Sequence, residues 1–396
     1  MNKTLKVVLC VLLAVVVLLG VWGAASRVTM AQIYKELEND PVTHKTSEIS
    51  AYLDYYFIDD YDKDALADAA ASAMVTATGD RWSYYLSAED YQSYEESMNN
   101  AYVGIGVTIV LDEEAGGLRV ESVTPGSPAL AAGIEAGDIL LQVEGQDTLE
   151  LGTTGTRNLV RGEEGTTVHL KIVRGEDTFE LDVLRASIQT EVASCQMLDG
   201  GIGYIKINNF DARCAEETNA CIDQMIAQGA KALLFDVRFN GGGYKDEMVK
   251  ILDKLLPEGV IFQSENYAGK KETDTSDTAC IELPMAVLVN QDSYSAAEFF
   301  AAALQEYNWA SVVGEKTCGK GNFQTGFQLS DGSLLNISIG KYYTPQGRSL
   351  TDVGVTPDEE VALDDDSYME LYYGRLSAEN DAQLQAAIGI LTDNIS

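Results

Sequence analysis

The spacing of apolar residues changes several times along the chain and divides it into regions. Between 47 and 78 the apolar positions recur at helical spacing, which predicts two helices. From 101 onward they alternate with polar positions, as in GIGVTIV at 104–110, which predicts β-strands. Between 202 and 314 continuous apolar runs alternate with helical segments, which predicts an α/β core.

These changes predict a multidomain α/β chain of the α+β type. The expected order is an apolar first segment, a helical region, a β-rich domain, an α/β core and an acidic, helical tail. We place their bounds at 1–30, 31–100, 101–186, 187–362 and 363–396.

The first segment predicts a membrane anchor. Lys3 and Lys6 precede an apolar run at 7–25 that is long enough to span a bilayer. A cleaved secretory signal usually has a shorter apolar run and a small-residue cleavage site, for which GAA at 23–25 is a weak candidate. We therefore expect a single-pass protein of the cell membrane with its N-terminus inside and the rest extracytoplasmic. Secretion after signal cleavage is the alternative.

Composition narrows the range of partners. The formal net charge is -35, from 62 acidic and 27 basic residues. Such a surface repels nucleic acid, so no nucleic-acid partner is expected. The cysteines beyond the apolar run contain no C-x-x-C, and they are compatible with one or two disulfides or with free thiols. Histidine and cysteine do not cluster, so we expect no metal.

A serine and a lysine stand at neighbouring strand ends of the predicted core. A strand at 286–289 turns into a helix that opens at Ser295, and Lys320 follows the next strand between two glycines. The chain has two histidines, His44 and His169, and neither adjoins a serine motif. A lysine can replace histidine as the base when burial lowers its pKa, and the Ser-Lys dyad is a known variant of the catalytic triad.

Simpler interpretations of these residues remain open. Ser295 and Glu298 form an S-x-x-E capping box, which alone would explain both residues. Lys320 could be a solvated loop lysine. A phosphate loop is not favoured, because Gly321 stands where the G-x-x-x-x-G-K motif at 314–320 requires serine or threonine.

Two short segments here resemble the C-terminal processing, or tail-specific, serine peptidase family. They are NQDSYSAAE at 290–298 and GKGNFQ at 319–324. The resemblance implies that Ser295 is the nucleophile, that Lys320 is the base and that Gln324 orients the lysine. It also implies that the enzyme needs no cofactor.

A further segment, DRWSYYL at 80–86, resembles the D-P-Y-S-x-Y-L segment of the family, with Arg81 and Trp82 in place of proline and tyrosine. None of the departures from the family pattern removes a catalytic group. The departures near the serine and the lysine include Tyr294, Ala297 and Cys318.

A glycine-rich turn at 236–243, DVRFNGGG, resembles the D-x-R-x-N-x-G-G turn of the family. A glycine turn before a helix exposes backbone N–H groups that can bind an anion. The resemblance implies an oxyanion hole formed by Gly242 and Ala296, although the choice among the glycines at 241–243 stays open. We expect Asp236 to anchor this turn.

The β-rich domain resembles a PDZ domain over about 102–185. The resemblance implies that a peptide tail adds a strand to an open edge, with its terminal carboxylate held by backbone N–H groups. Arg161 in LVRGEEGT either couples this domain to the active site or is solvated. The residues expected to bind the peptide are Val103, Gly104, Ile105 and Gly106.

Together these features indicate a membrane-anchored serine endopeptidase. Its partners would be protein or peptide substrates with free C-terminal tails, which the PDZ domain feeds to a Ser-Lys site that works through an acyl-enzyme. The sequence leaves open whether the protein forms an oligomer. The alternative is a catalytically idle PDZ scaffold that binds C-terminal peptides.

Overall fold

The computed structural model describes residues 40–395. The predicted anchor at 1–30 lies outside the described residues. Within 40–395 no helix is both long and apolar enough to cross a membrane. The chain divides into two units at Gly79 and Asp80.

The described part of the first unit consists of helices α1 (Pro41–Tyr56) and α2 (Lys63–Thr76). Both predicted helices are confirmed, and α1 begins earlier than the apolar spacing predicts because Asp40 caps it with Pro41 in the first turn. Asp54 joins the two helices, since its carboxylate accepts from Tyr61 at 2.5 Å and pairs with Lys63 at 2.7 Å.

The second unit begins with strand β1 and helix α3, which lead into the β-rich domain. A six-stranded antiparallel sheet in the order β3-β4-β5-β7-β8, with β6 beside β5, packs against helix α5. Strand β2 pairs with β9 where the chain enters and leaves the domain. The elements are β1 (Tyr84–Leu86), α3 (Ala88–Met98), β2 (Ala101–Gly104), β3 (Val107–Asp112), β4 (Gly117–Val123), α4 (Pro128–Ala131), β5 (Ile139–Val143), β6 (Gln146–Asp147), α5 (Thr148–Val160), β7 (Thr167–Arg174), β8 (Asp177–Leu184) and β9 (Ala186–Gln189).

The β-rich domain has an apolar core of its own. Leu118, Val143 and Val168 are fully buried in it and belong to a cluster separate from the cluster of the α/β core. Strand β3 lies at the edge of the sheet, so one side of its backbone is not paired within that sheet. An open edge of this kind can accept an additional strand.

The α/β core is built on a second six-stranded sheet in the order β10-β11-β12-β15-β16-β19. All pairs except β10–β11 are parallel. Strands β12 and β15 are buried throughout, as their continuous apolar sequences predict for strands covered on both faces. The elements are β10 (Ala193–Leu198), β11 (Ile202–Ile207), α6 (Cys214–Ala227), β12 (Ala232–Asp236), α7 (Lys245–Leu255), β13 (Gly259–Asn266), β14 (Lys271–Ser276), β15 (Met285–Val289), α8 (Ala296–Glu306), β16 (Ala310–Gly314), β17 (Asn322–Gln328), β18 (Leu334–Tyr343), β19 (Glu359–Glu360), α9 (Asp365–Tyr372) and α10 (Ala382–Ile395).

The last helix belongs to this core. Helices α6, α7 and α8 contribute to the apolar cluster on one face of the sheet, and α10 contributes Leu384, Ala387 and Leu391 to the cluster on the other face. The predicted boundary between 362 and 363 therefore divides strands and a helix that pack into the same apolar core. Arg238, which follows β12, pairs with Asp236 at 2.7 Å and with Asp381 before α10 at 2.8 Å.

A smaller antiparallel sheet lies beside the core and brings the 80–86 segment to it. Its strands run in the order β1-β18-β13-β14, with β17 also paired to β18. Tyr84 of β1 stands opposite Asn336 of β18. This pairing places the residues just before β1 close to the loop that carries Lys320.

Five cysteines lie in the described part of the chain, and all of them are free thiols in the structure. Burial raises the pKa of the Cys221 thiol on α6 to about 12, and the nearby Cys195 on β10 acts in the same direction. Of the two alternatives left open by the sequence, the structure therefore has the free thiols.

Candidate active site

The carboxyl ends of β12 and β15 meet at one edge of the parallel sheet, where ligand sites of such sheets usually form. Ser295 lies there, between β15 and α8, with φ 57° and ψ -124°. A residue other than glycine is strained in this conformation, and strained strand-to-helix turns are known to present nucleophiles. The geometry therefore fits a serine that is positioned as a nucleophile.

The serine turn is hydrogen-bonded to the glycine turn that follows β12. Asn290 accepts from the backbone N–H of Phe239 at 3.0 Å, and Ser293 donates to the carbonyl of Val237 at 2.7 Å. The N–H of Tyr294 donates to the carbonyl of Asn240 at 3.1 Å. These bonds fix the two turns relative to each other.

Glu298 joins the serine turn to the lysine loop. Its carboxylate accepts the backbone N–H groups of Ser295 at 2.9 Å, Gly319 at 2.7 Å and Lys320 at 2.8 Å. It also accepts the hydroxyl of Thr317 at 2.5 Å. Burial raises the pKa of Glu298, and the four donors act in the opposite direction. The capping function predicted from S-x-x-E is thus only one part of what this residue does.

The amine of Lys320 lies against aromatic rings. Its Nζ is 4.8 Å from the ring centroid of Trp82 and 5.8 Å from that of Tyr294. Burial lowers the pKa of Lys320, while Cys318 and the carboxyl groups of Glu298 and Asp80 oppose this shift. A lowered pKa is what a lysine base needs, because only the neutral amine can accept a proton.

Four of the departures from the family pattern meet beside this lysine. The guanidinium of Arg81 lies 4.2 Å from the ring centroid of Trp82, and its Nη2 donates to the Sγ of Cys318 at 3.1 Å. Tyr294 stacks at a tilt on Trp82, with 5.9 Å between ring centroids. The sequence singled out each of these residues separately but gave no signal that they would be neighbours.

Gln324 lines the same cleft as Ser295 and Lys320. Its amide donates to the carbonyl of Asn322 and to the hydroxyl of Ser338, each at 3.1 Å. In this structure the amide therefore binds these two acceptors, and its expected role in orienting Lys320 stays a prediction.

The glycine turn lies directly against the serine. A Cβ on Gly242, whose φ is +88°, would lie 2.7 Å from the Cβ of Ser295. The N–H of Gly242 donates to the side chain of Asn240 at 2.8 Å, so its use in an oxyanion hole would require that bond to open. The N–H groups of Gly241, Gly243 and Ala296 donate to no described residue. The pair Gly242 and Ala296 stays a prediction, with Gly241 and Gly243 as alternatives.

A cleft of about 680 Å³ is lined by Ser295, Lys320, Gln324 and the glycines at 241–243. Among the described residues that line it, Asp211 was not singled out by the sequence analysis. Its side chain is 8% exposed, and its Oδ1 has no hydrogen-bond partner among the described residues. Burial raises the pKa of Asp211 to about 7. An aspartate after a β-strand is common, so the sequence offered no signal for this one.

A second, smaller cavity of about 250 Å³ runs beside β3 and α5 in the β-rich domain. Gly104, Ile105 and Gly106 line it as predicted, whereas Val103 does not line it and pairs with Ser187 of β9. Arg161 also lines it and forms an ion pair with Glu96 of α3 at 2.9 Å. This ion pair connects the domain to the helix before it, so Arg161 is not simply solvated.

The comparisons with known proteins identify an α/β protease that contains a PDZ domain. Residues 201–361 match the model of peptidase family S41, and residues 119–174 match a PDZ domain model. The carboxy-terminal processing protease CtpA of Bacillus subtilis is 33% identical over 323 residues, which cover 81% of this chain and 68% of the relative. The carboxyl-terminal-processing protease of Synechocystis is 32% identical over 334 residues, which cover 83% of this chain and 77% of the relative.

The chain therefore belongs to the carboxyl-terminal processing proteases of peptidase family S41. A solved structure from Bacteroides fragilis assigned to the S41 proteases shares the fold, with a TM-score of 0.51 and 20% identity over 86% of this chain and 91% of that chain.

Proposed function

We propose that this protein is a serine endopeptidase that captures the C-terminal tail of a protein in its PDZ groove and cleaves the chain with a Ser295–Lys320 dyad. The observation that carries the proposal is the carboxylate of Glu298. It binds the backbone of both residues and so fixes the serine turn and the lysine loop on one cleft. Membership of the family supports the same assignment.

In the first half of the reaction, the Oγ of Ser295 attacks the scissile carbonyl carbon while the neutral amine of Lys320 accepts the hydroxyl proton. The carbonyl oxygen becomes an oxyanion, and the N–H of Ala296 and an N–H of the glycine turn stabilise it. The tetrahedral intermediate then collapses, the C–N bond breaks, and the ammonium of Lys320 gives its proton to the leaving amine. The product is an acyl-enzyme ester on Ser295.

In the second half, water attacks the ester, and Lys320 accepts a proton from that water. Collapse of the second intermediate breaks the C–O bond, returns a proton to Ser295 and releases the new C-terminus. No cofactor takes part. The low pKa of Lys320 keeps a larger fraction of the amine neutral than an exposed lysine would have, and this supports its use as the base.

The PDZ groove is proposed to hold the substrate tail. Strand β3 offers an open edge for an added strand, and the turn at Ile105 and Gly106 lies at its start. The walls of the groove are largely apolar, with contributions from Ile109 and Val160. An apolar tail with a free carboxylate fits this surface, since backbone pairing supplies affinity and the pockets supply selectivity.

We also propose that the protease is anchored in the cell membrane with its catalytic part extracytoplasmic. The support is the sequence of the first segment, with two lysines before the apolar run at 7–25. Intact-mass analysis of the mature chain tests it, because a mass lacking about the first 25 residues would favour the cleaved signal.

The decisive experiment incubates the purified full chain with an unfolded reporter protein that ends in an apolar tail. Cleavage is followed by mass spectrometry for the wild type, Ser295→Ala and Lys320→Ala. Both variants should lose at least about 10³-fold in rate, because the members of such a dyad act as a unit.

An acyl adduct on Ser295 should be trapped by a serine-directed probe in the wild type and be absent from Ser295→Ala. Wild-type protein that binds the tail but neither cleaves it nor reacts with the probe would support the idle PDZ scaffold instead. Cleavage by Lys320→Ala at the wild-type rate would exclude the lysine as the base.

A further inference from the structure

The carboxylate of Asp211 is a buried polar group without a structural explanation. Its Oδ1 has no hydrogen-bond partner among the described residues, and the residue is 8% exposed. Burying a carboxylate without partners is costly, so native structures almost always satisfy such groups. Asp236, a carboxylate buried elsewhere in this core, accepts hydrogen bonds from Arg238 and Tyr204.

Asp211 lies on the other side of the glycine turn from the serine. A Cβ placed on Gly243 would lie 2.5 Å from the Oδ1 of Asp211. A Cβ placed on Gly242 would lie 2.7 Å from the Cβ of Ser295. Because the two glycines are consecutive, the carboxylate and the nucleophile flank one short stretch of backbone. Asp211 also lines the cleft that contains Ser295, so a substrate residue next to the scissile bond would lie beside it.

Two tyrosines of the cleft lie near the carboxylate of Asp211. Tyr94 and Tyr244 line the same cleft. Burial raises the pKa of both phenols, and the charge of Asp211 adds to the shift in each. A carboxylate near aromatic rings is suited to a cationic side chain, which gains a charge-assisted hydrogen bond and can contact a ring face. The same setting disfavours acidic side chains.

We propose that Asp211, with Tyr94 and Tyr244, forms a subsite that selects a lysine or arginine side chain of the substrate next to the scissile bond. This inference rests on the proposed peptidase function and deepens it. The apolar groove of the PDZ domain would bind the substrate's C-terminal tail. The Asp211 subsite would determine which peptide bond is cleaved, by binding a basic residue next to it.

The selectivity should depend on pH. Burial raises the pKa of Asp211 to about 7, while a substrate lysine stays protonated well above that pH. The groups that face Asp211 are Tyr94, Tyr244 and Cys214, and burial raises the pKa of each of them, so they stay neutral near pH 7. Preference for the basic residue should therefore be full above pH 8 and should fade below about pH 6 as the carboxylate protonates.

The test compares two sets of unfolded peptides with the same apolar tail. Each set scans one residue along the sequence, lysine in one set and norleucine in the other, and cut sites are mapped by mass spectrometry with the full chain. We expect kcat/KM to favour the lysine peptides about tenfold or more when lysine flanks the cut, the size expected for a charge-assisted hydrogen bond. In Asp211→Asn the ratio should fall towards one.

Glu216→Gln is the matched control, because it also removes one negative charge but lies on the exposed side of α6. It should keep both the ratio and the rates. A wild-type ratio near one, or a ratio that Asp211→Asn leaves intact, would overturn the proposal. Asp211→Ser serves as the second variant if the asparagine protein has a lowered thermal midpoint.

A binding arm separates this inference from the peptidase function. On Ser295→Ala protein, the same peptides with amidated C-termini are compared by fluorescence anisotropy, since amidation removes the carboxylate that the PDZ groove holds. Tighter binding of the lysine peptides that Asp211→Asn abolishes supports the subsite even if no peptide is cut. Equal binding of both sets in this arm counts against it.

Discussion

The PDZ groove and the catalytic cleft are built in different ways. The groove comes from a continuous stretch between Tyr102 and Arg161, above a separate apolar core. The cleft gathers groups from Arg81 to Tyr342, and Glu298 holds its central loops together. A groove that binds through a strand edge tolerates side-chain changes, whereas a catalytic cleft depends on the positions of a few atoms. Substitutions should therefore change tail affinity by small factors and cleavage by large ones.

Removing α9 and α10 should have the largest effect, because it should abolish cleavage in the cleft and leave tail binding in the PDZ groove intact. Truncation after Val361 exposes the sheet face that Leu384, Ala387 and Leu391 cover, and it leaves Arg238 without Asp381. The loss of two buried leucines and their packing costs about 5–10 kcal/mol, comparable to the stability of a domain. We expect cleavage to be lost while the tail still binds, as checked by limited proteolysis and anisotropy. A truncated protein that cleaves normally would show that the sheet does not need α10.

Glu298→Gln should impair the catalytic cleft but not the PDZ groove, and it removes no helix or strand. The amide offers one acceptor oxygen to the four donors that the carboxylate binds, and its NH₂ would face backbone N–H groups. Leaving such donors unpaired in a buried site costs about 2–4 kcal/mol. Displacement of Ser295 and Lys320 by a fraction of an ångström should lower kcat roughly 100-fold. Tail affinity should stay at the wild-type value, and a parallel loss of affinity would contradict the division between groove and cleft.

The same contrast explains what the sequence could predict. The PDZ domain, the strand–helix alternation and the positions of Ser295 and Lys320 are local patterns, and the family and the fold are as expected. The hydrogen bonds of Glu298 to the lysine loop and the contact of Arg81 with Cys318 join residues far apart in the chain, which apolar spacing cannot predict.

Two further features of the structure could not be predicted from the sequence. The acidic charge of 363–396 concealed the apolar face of α10, and that face packs on the sheet. The lone carboxylate of Asp211 follows β11 without any motif to mark it. Both depend on which groups tertiary packing leaves covered, and a single sequence does not give that information.

Trp82→Leu tests whether the ring of Trp82 helps to lower the pKa of Lys320 by keeping water from its amine. The smaller side chain should admit water to the amine, so the pKa of Lys320 should rise towards the value of an exposed lysine. With the neutral amine as the proposed base, the rate should rise with pH through this pKa, and the rising limb of kcat/KM should move to higher pH. At neutral pH the rate should fall roughly three- to tenfold and should recover at alkaline pH.

Trp82→Phe is the conservative control for that profile, since it keeps a ring over the amine and should retain most of the wild-type pH dependence. The ring also attracts the ammonium form, an effect that acts in the opposite direction. A limb that moves to lower pH in Trp82→Leu would show that this attraction outweighs the exclusion of water.

Arg157→Glu should have the smallest effect and should act on the groove alone. Arg157 lines the groove on α5, and its guanidinium forms no ion pair or side-chain hydrogen bond with a described residue. In a chain with a net charge of -35, an unpaired arginine beside the tail should attract the terminal carboxylate or an acidic residue near it. Reversing its charge should raise KM about three- to tenfold for a tail-bearing substrate and leave kcat unchanged. An amidated substrate should show a smaller change, because it lacks the carboxylate, and an equal change in both would place the effect of Arg157 elsewhere in the groove.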